Sequence, residues 1–303
     1  MSIRVAFGTI WYPVAMGRYF YEALKRRADV ELWTYGPFTG RWIPWTSGPG
    51  NGMHLPPSYV YKPDMAMALG DVVYAIVRPP WKPDIWIEVN AGMRTQGRPE
   101  RPYVVIASDP HVLDYSIARK RADYFFNMQR PYMQGKDIWL PYAYDPVWHT
   151  PTTVPIADRE YHAALLGLQY PQRTSLVNAL RKDVGLKVRY ELGPAYEDAK
   201  AIYHSTRVGL NWSSLQDTTA RVFELMAFGI APVLNRVPDL MSMFTEGQDF
   251  LGFSDQAEAI AQVRSVVDDA EALERLGANA RRAVEQHTYG ARIQQVFETV
   301  GLA

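Results

Sequence analysis

The stretch Asp217 to Asn235, DTTARVFELMAFGIAPVLN, reads as a loop, a two-turn helix and a short buried strand. Thr218 or Thr219 can cap the helix, since a hydroxyl accepts a bond from an otherwise unpaired first-turn N–H. Gly229 follows the last apolar residue, where a left-handed position suits glycine. Ala231 to Leu234 then runs apolar and short, as a strand covered on both faces does. Arg221 and Glu224 lie three apart and share one face of the first turns. They set a cation and a carboxylate beside the positive end of a helix, where anions bind readily. A plain surface ion pair has the same spacing.

Working outward, the second half alternates strand and helix. Tyr161–Leu166 reads as a strand, and Gly167 with the loop Gln169 to Gln172 leads into a helix over Arg173–Asp183. A strand over Lys187–Leu192 ends at Gly193-Pro194, a helix covers Tyr196–His204, and Val208–Trp212 is a strand. After the opening stretch come a short strand, Phe250–Phe253, and helices over Gln256–Val267, Ala270–Gln286 and Ala291–Val300. Such alternation predicts a parallel sheet with helices on both faces.

The first half shows the same rhythm. Ile3–Phe7 is a strand that breaks at Gly8-Thr9, followed by an amphipathic helix over Met16–Arg27 and a strand over Val30–Tyr35. The GxGxxG fingerprint is missing, so a dinucleotide site does not follow. Residues Gly36 to Pro63 form a long loop rich in Gly, Pro and aromatics (Trp42, Trp45, Tyr59, Tyr61), able to stack on a sugar or base or to plug the loop itself. Strands over Pro83–Val89 and Tyr103–Ala107 end at Asn90 and at Ser108-Asp109-Pro110-His111. Ligands of open α/β sheets sit beyond the carboxyl ends of strands, so Asn90, Asp109 and His111 face the expected site. Further strands, Tyr124–Asn127 and Ile138–Pro141, precede a proline-punctuated linker through Pro155, and the domain boundary is expected there.

Composition bounds the function. The 303 residues suit two domains, and 48% hydrophobic content supplies real cores. A formal net charge of zero argues against a surface built throughout for nucleic acid or anionic lipid. Residues 1–155 carry 17 Lys and Arg against 13 Asp and Glu, and residues 156–303 carry 15 against 19, a modest asymmetry. Without cysteine there is no disulfide frame, thiolate metal site or cysteine nucleophile. The opening MSIRVAFGTIWYP is too short an apolar run for a signal peptide, and no run of about 18 apolar residues follows. The expectation is a soluble cytoplasmic protein without a membrane span.

Arg221-Val-Phe-Glu224-Leu-Met-Ala-Phe-Gly229-Ile-Ala-Pro232 resembles the R-x-F-E-x-x-A-x-G-x-x-P pattern of GT-B glycosyltransferases, most closely the retaining group-1 type and its CgeB-like branch. Leu166-Gly-Leu-x-Tyr-x-x-Arg173 and His287-Thr-Tyr-x-x-Arg292 are similar to flanking segments of that family. Asp109-Pro-His111 and Leu140-Pro-Tyr-Ala-Tyr-Asp-Pro146 match less sharply, and the first 80 residues carry only fold-level analogy. The resemblance implies two Rossmann-like domains facing a cleft. It assigns residues 1–150 to acceptor binding, 151–286 to the nucleotide sugar, and 287–303 to a helix that crosses back to the first domain, forming a second connection opposite the linker. In the family the counterpart of Glu224 binds the donor ribose. The group-1 pattern has a first glutamate eight positions earlier, where this chain has Gln216, so the contact to the donor sugar departs from the pattern.

The resemblance thus implies transfer from a nucleotide-diphosphate sugar, UDP-sugar foremost, with no other cofactor. The departing diphosphate needs preorganised donors. No two aspartates lie two apart, so no D-x-D metal motif is present. Cations and helix ends would then carry the charge: Arg173, Arg221 and the N–H groups around Thr218 and Thr219. Gly167 and Gly193 line the donor side, Gly193 at the base. In the first domain Gly8, Thr9 and Asn90 would touch the acceptor, while Asp109 or His111 would orient the donor sugar or the acceptor hydroxyl. The acceptor is a small molecule, a glycan, a protein or modified DNA; the cluster Arg94, Arg98, Arg101, Arg119, Lys120, Arg121 admits the last, and a solvated face looks the same. A sugar-nucleotide epimerase and a non-catalytic nucleotide- or glycan-binding protein are the alternatives.

Overall fold

The computed structural model describes residues 2–11, 15–37, 42–44, 52–54, 73–90, 94–97, 99–192, 194 and 196–302. Two compact units divide it: Met1–Pro141 with Tyr289–Ala303, and Tyr142–Thr288.

In the first unit the chain runs β1 (Ile3–Thr9), α1 (Met16–Lys25), β2 (Val30–Tyr35), the short β3 (Trp42–Pro44), β4 (Gly52–His54) and β5 (Val73–Ala75), then β6 (Ile85–Asn90), β7 (Arg94–Gln96), β8 (Tyr103–Ala107), α2 (Ser116–Arg121), β9 (Tyr124–Asn127) and β10 (Ile138–Trp139). The main sheet has the order β10-β9-β8-β6-β1-β2, and every pair in it is parallel. Strands β1, β6 and β8 are apolar along nearly their whole length because both faces are covered. Chain order reverses between β1 and β6, which makes their carboxyl ends the topological switch point. The short β5 pairs in parallel with β7.

The helix α9 (Tyr289–Val300) completes this unit. Tyr289 stacks on Tyr19 with centroids 5.2 Å apart, and its hydroxyl meets Met16 Sδ at 2.7 Å. Arg292 Nε donates to the Pro141 carbonyl at 2.7 Å, and Gln295 Nε2 to that of Trp139 at 3.0 Å. Ile293, Val296 and Phe297 are fully buried. Burial of the Arg292 guanidinium pushes its pKa down to about 10.

The second unit runs β11 (Tyr161–Leu166), α3 (Pro171–Lys182), β12 (Val188–Glu191), α4 (Tyr196–His204), β13 (Thr206–Asn211), α5 (Ala220–Phe228), β14 (Ala231–Asn235), α6 (Pro238–Met243), β15 (Leu251–Phe253), α7 (Gln256–Val266) and α8 (Ala270–Val284). Its sheet order is β12-β11-β13-β14-β15, again all parallel, with the switch between β11 and β13. The core lies between this sheet and its helices, with Leu165, Leu210, Val233, Leu176 and Leu276 at its centre. In the opening stretch Gly229 takes φ 68° and ψ 32°, the left-handed conformation glycine adopts without a Cβ penalty.

One difference from the sequence expectation has a clear cause. The boundary was expected at residue 150, but 142–155 sides with the second unit because its backbone is bonded there. Thr152 N–H donates to the Phe228 carbonyl at 2.9 Å, and His204 Nε2 meets the Thr150 carbonyl at 2.9 Å. Tyr144 also pairs in parallel with Thr288 at the other end of the same unit.

Candidate functional site

Gly167, Arg173, Asn211, Thr219, Arg221 and Glu224 gather at the switch point of the second sheet. β11 delivers Gly167 and the helix α3 that carries Arg173; β13 delivers Asn211; α5 carries the rest. Arg173 is 3% exposed. Its Nε donates to the Trp212 carbonyl at 2.6 Å and its Nη1 to that of Leu168 at 3.0 Å, while its guanidinium lies 4.8 Å over the Tyr170 ring. The side chain thereby ties the loop after β11 to the loop after β13. Burial, and then the neighbouring charge of Arg221, bring its pKa down to about 10, so it stays cationic at neutral pH.

Arg221 is held by Asn211, whose Oδ1 accepts from Nη1 at 3.0 Å, and by a hydrogen bond to the Tyr203 hydroxyl. Tyr203 is buried, which raises its pKa, and its oxygen also accepts the Leu166 N–H at 3.2 Å. Gly167, at φ 132°, leaves the space beside the guanidinium: a Cβ there would overlap Arg221 Nη2. The charge of Arg221 thus acts on Arg173, and the start of the nine-residue helix α5, which no side chain caps, adds positive potential beside Arg221.

The threonines behave differently from expectation. Thr219 occupies the N-cap position of α5 without capping it; its hydroxyl donates to Asn211 Oδ1 at 3.2 Å. Thr218 is buried beside it. Asp217, also buried, accepts the Leu215 N–H at 2.8 Å and the Ser214 hydroxyl at 3.3 Å, folding the loop back on itself. Asn235 Oδ1 accepts the Ser213 N–H at 2.7 Å and fixes the same loop from β14. Gln216 is exposed. Arg221 and Glu224 do not pair; Glu224 faces His149 instead, with Nε2 to Oε1 3.7 Å. Gly193 lies outside the described residues.

In the first unit Thr9 and Asn90 end the adjacent strands β1 and β6 at the other switch point. Thr9 is buried and its hydroxyl donates to the Val89 carbonyl at 3.0 Å. Gly8 lies under the Tyr35 ring, which occupies the place of a Cβ. Asp109 and His111 form the turn after β8: Asp109 accepts the Ser108 hydroxyl at 2.9 Å, and the His111 ring lies 5.7 Å from that of Tyr132. Glu88, passed over in the sequence, is buried two residues before the end of β6 and accepts the Tyr103 hydroxyl at 2.7 Å. Of the basic cluster, Arg101, Lys120 and Arg121 are exposed and Arg119 is half-buried. Arg119 makes a bidentate pair with buried Asp137, at 2.7 and 3.0 Å, Arg101 meets Asp123 at 3.2 Å, and Arg121 donates to the Gly97 carbonyl. Arg98, with Trp45, Tyr59 and Tyr61 of the long loop, lies outside the described residues, as do the side chains of Arg94 and Trp42.

Asn211, Tyr203 and His149 were missed. The one signal available was a polar residue closing an apolar strand, which Asn211 shares with Asn90 and Asn235. Among the described residues no group of His, Asp and Glu is arranged to hold a metal ion, and no helix is long and apolar enough to cross a membrane.

Residues 153–298 match the family described as glycosyl transferase-like. No curated protein matches the chain in sequence. Among solved structures, HepE of Anabaena, in complex with UDP and glucose, superposes with a TM-score of 0.66 at 10% identity, covering 99% of this chain and 100% of that one. Sucrose-phosphate synthase of Thermosynechococcus elongatus gives 0.62 at 12% identity over 99% of both chains. A glycosyltransferase from Rickettsia africae gives 0.55 at 10% identity over 98% of both. At such identities the likeness speaks for the fold, and the family match speaks for the second unit. The chain has the GT-B fold, and the match to the glycosyl transferase-like family covers residues 153–298 of it.

Proposed function

We propose that the protein transfers a sugar from a nucleoside diphosphate sugar to an acceptor hydroxyl, with retention and without a metal ion. The observation that carries this reading is the pair of cations Arg173, in the first turn of α3, and Arg221, in the first turn of α5, with the charge of Arg221 acting on Arg173. Burial and then the charge of Arg221 lower the pKa of Arg173, and a diphosphate bound by both cations relieves the repulsion between them. As the bond from the anomeric carbon to the diphosphate breaks, the charge appearing on the phosphate oxygen meets donors already in place. Glu224 accepts the ribose hydroxyls. Asp109 and His111 orient the donor sugar or the acceptor hydroxyl, which attacks from the face the diphosphate leaves and passes its proton to the departing oxygen. The UDP in the HepE structure supports uracil as the base. The acceptor is a small molecule, a glycan, a protein or modified DNA; with Arg119 and Arg101 tied to carboxylates, the DNA reading draws least support. Calorimetric titration with uridine, UMP and UDP tests the central contact. Affinity should rise steeply with the second phosphate and fall to the UMP level in Arg221→Ala. UDP and uridine binding alike would remove the diphosphate from the arginines.

A further inference from the structure

Glu224 does not stand alone. His149, from the segment 142–155, places Nε2 3.7 Å from Glu224 Oε1, and the two side chains are 8% and 23% exposed. The imidazole is fixed from behind. Its Nδ1 accepts the Asp145 N–H at 3.0 Å, and its own backbone N–H donates to the Asp145 carbonyl at 2.8 Å. The Asp145 carboxylate in turn accepts the Val147 N–H at 2.9 Å, which closes the turn. On its flank the ring meets Phe228, one helical turn beyond Glu224 on α5, edge-on with centroids 5.4 Å apart. Because Nδ1 is an acceptor, the proton of the neutral ring sits on Nε2. A donor N–H therefore faces Glu224 whether the ring is neutral or cationic. At 3.7 Å the contact is electrostatic rather than a formed hydrogen bond, and a small rotation of the carboxylate closes it.

We propose that His149 is a positioning residue for nucleotide binding: it holds one oxygen of the Glu224 carboxylate so that the group is oriented before the ribose arrives. A glutamate otherwise loses several rotamers on binding, and a fixed neighbour removes part of that loss beforehand. The proposal rests on the ribose role given to Glu224 above. It also explains why the segment 142–155 is bonded to α4 and α5: the linker carries part of the donor site.

The test separates the two claims. His149→Asn keeps an oxygen for the Asp145 N–H but is too short to reach Glu224; His149→Gln restores a donor at the reach of Nε2. Each variant, Glu224→Ala and the double variant are titrated with UDP and with 2′,3′-dideoxy-UDP, with thermal unfolding recorded alongside. His149→Asn should weaken UDP about three- to tenfold, the scale of one net hydrogen bond, and leave the dideoxy nucleotide unchanged. His149→Gln should recover much of the loss, and the double variant should match Glu224→Ala. If Glu224→Ala discriminates the two nucleotides while His149→Asn weakens both equally or neither, His149 has no positioning role and the ribose contact survives. If Glu224→Ala does not discriminate them, the ribose contact itself fails and the role of His149 falls with it.

Discussion

Replacing Gly167 by alanine adds a methyl group where the donor site has no room for one. The residue sits at φ 132°, outside the range L side chains favour, and its Cβ would overlap Arg221 Nη2, with Cζ at 3.3 Å. The backbone conformation alone costs about 1–3 kcal/mol. The steric conflict is with the tip of a flexible side chain, so the fold survives by letting Arg221 move. Moving it breaks the 3.0 Å bond to Asn211 and takes the guanidinium from the position proposed for the diphosphate. A lost hydrogen bond to a charged group is worth about 1.5–3 kcal/mol, or about 10- to 150-fold in affinity. Gly185→Ala is the matched control, since that glycine also has positive φ, 76°, but nothing lies within 4 Å of its Cβ. Calorimetric titration with UDP, with melting curves for both variants, reads the result. Gly185→Ala should lose stability and keep its affinity, while Gly167→Ala loses both. A folded Gly167→Ala that binds UDP like the parent would refute the placement of Arg221 in the site.

Phe297→Ala in α9 should destabilise the first unit by about 3–5 kcal/mol, as for other buried aromatic truncations. Hydrogen exchange should show lost protection in β1 and α1 with β11–β14 unaffected, and unchanged exchange in α1 would show that α9 is not part of that core. If the arginines and the α5 terminus carry the diphosphate charge, as proposed, turnover should persist in excess EDTA; activity lost to chelator and restored by Mn²⁺ or Mg²⁺ would contradict this. Arg236 binds Glu258 at 2.7 and 2.8 Å and holds its pKa down from 4.5 to about 2. A lowered folded-state pKa contributes stability that is complete above about pH 4.5 and disappears as the pH falls towards 2. Urea midpoints of Glu258→Gln should therefore fall less over that window than those of the parent, and parallel curves would exclude the linkage.

The parallel sheets were legible because their strands are covered on both faces and read as short apolar runs broken by glycine or a polar residue. Gly167, Arg173, Arg221 and Glu224 were singled out because each sits at a strand end or in the first turns of a helix, where local chemistry limits what a glycine, cation or carboxylate does. Their partners were not legible. Asn211 lies ten residues before Arg221, and nothing local says that its amide oxygen will take both that guanidinium and the Thr219 hydroxyl. A threonine before a helix reads as a cap, yet its hydroxyl serves whichever acceptor the fold brings close. Tyr203 and His149 reach the site from α4 and from a proline-rich segment, across separations no periodicity encodes. The six-residue α6, opening on Pro238-Asp239, was passed over because it is too short to show a helical repeat.

The central claim is that the chain cleaves the bond between a sugar and a nucleoside diphosphate. The most direct measurement incubates the protein with UDP-sugars, without added acceptor, and follows UDP and free sugar by mass spectrometry against Arg221→Ala. The account predicts slow release of both products by the parent with at least one UDP-sugar, and none above background from the variant. UDP-sugars that bind to the parent yet stay intact throughout, with and without an acceptor panel, would contradict it and leave a nucleotide-binding protein on a transferase scaffold.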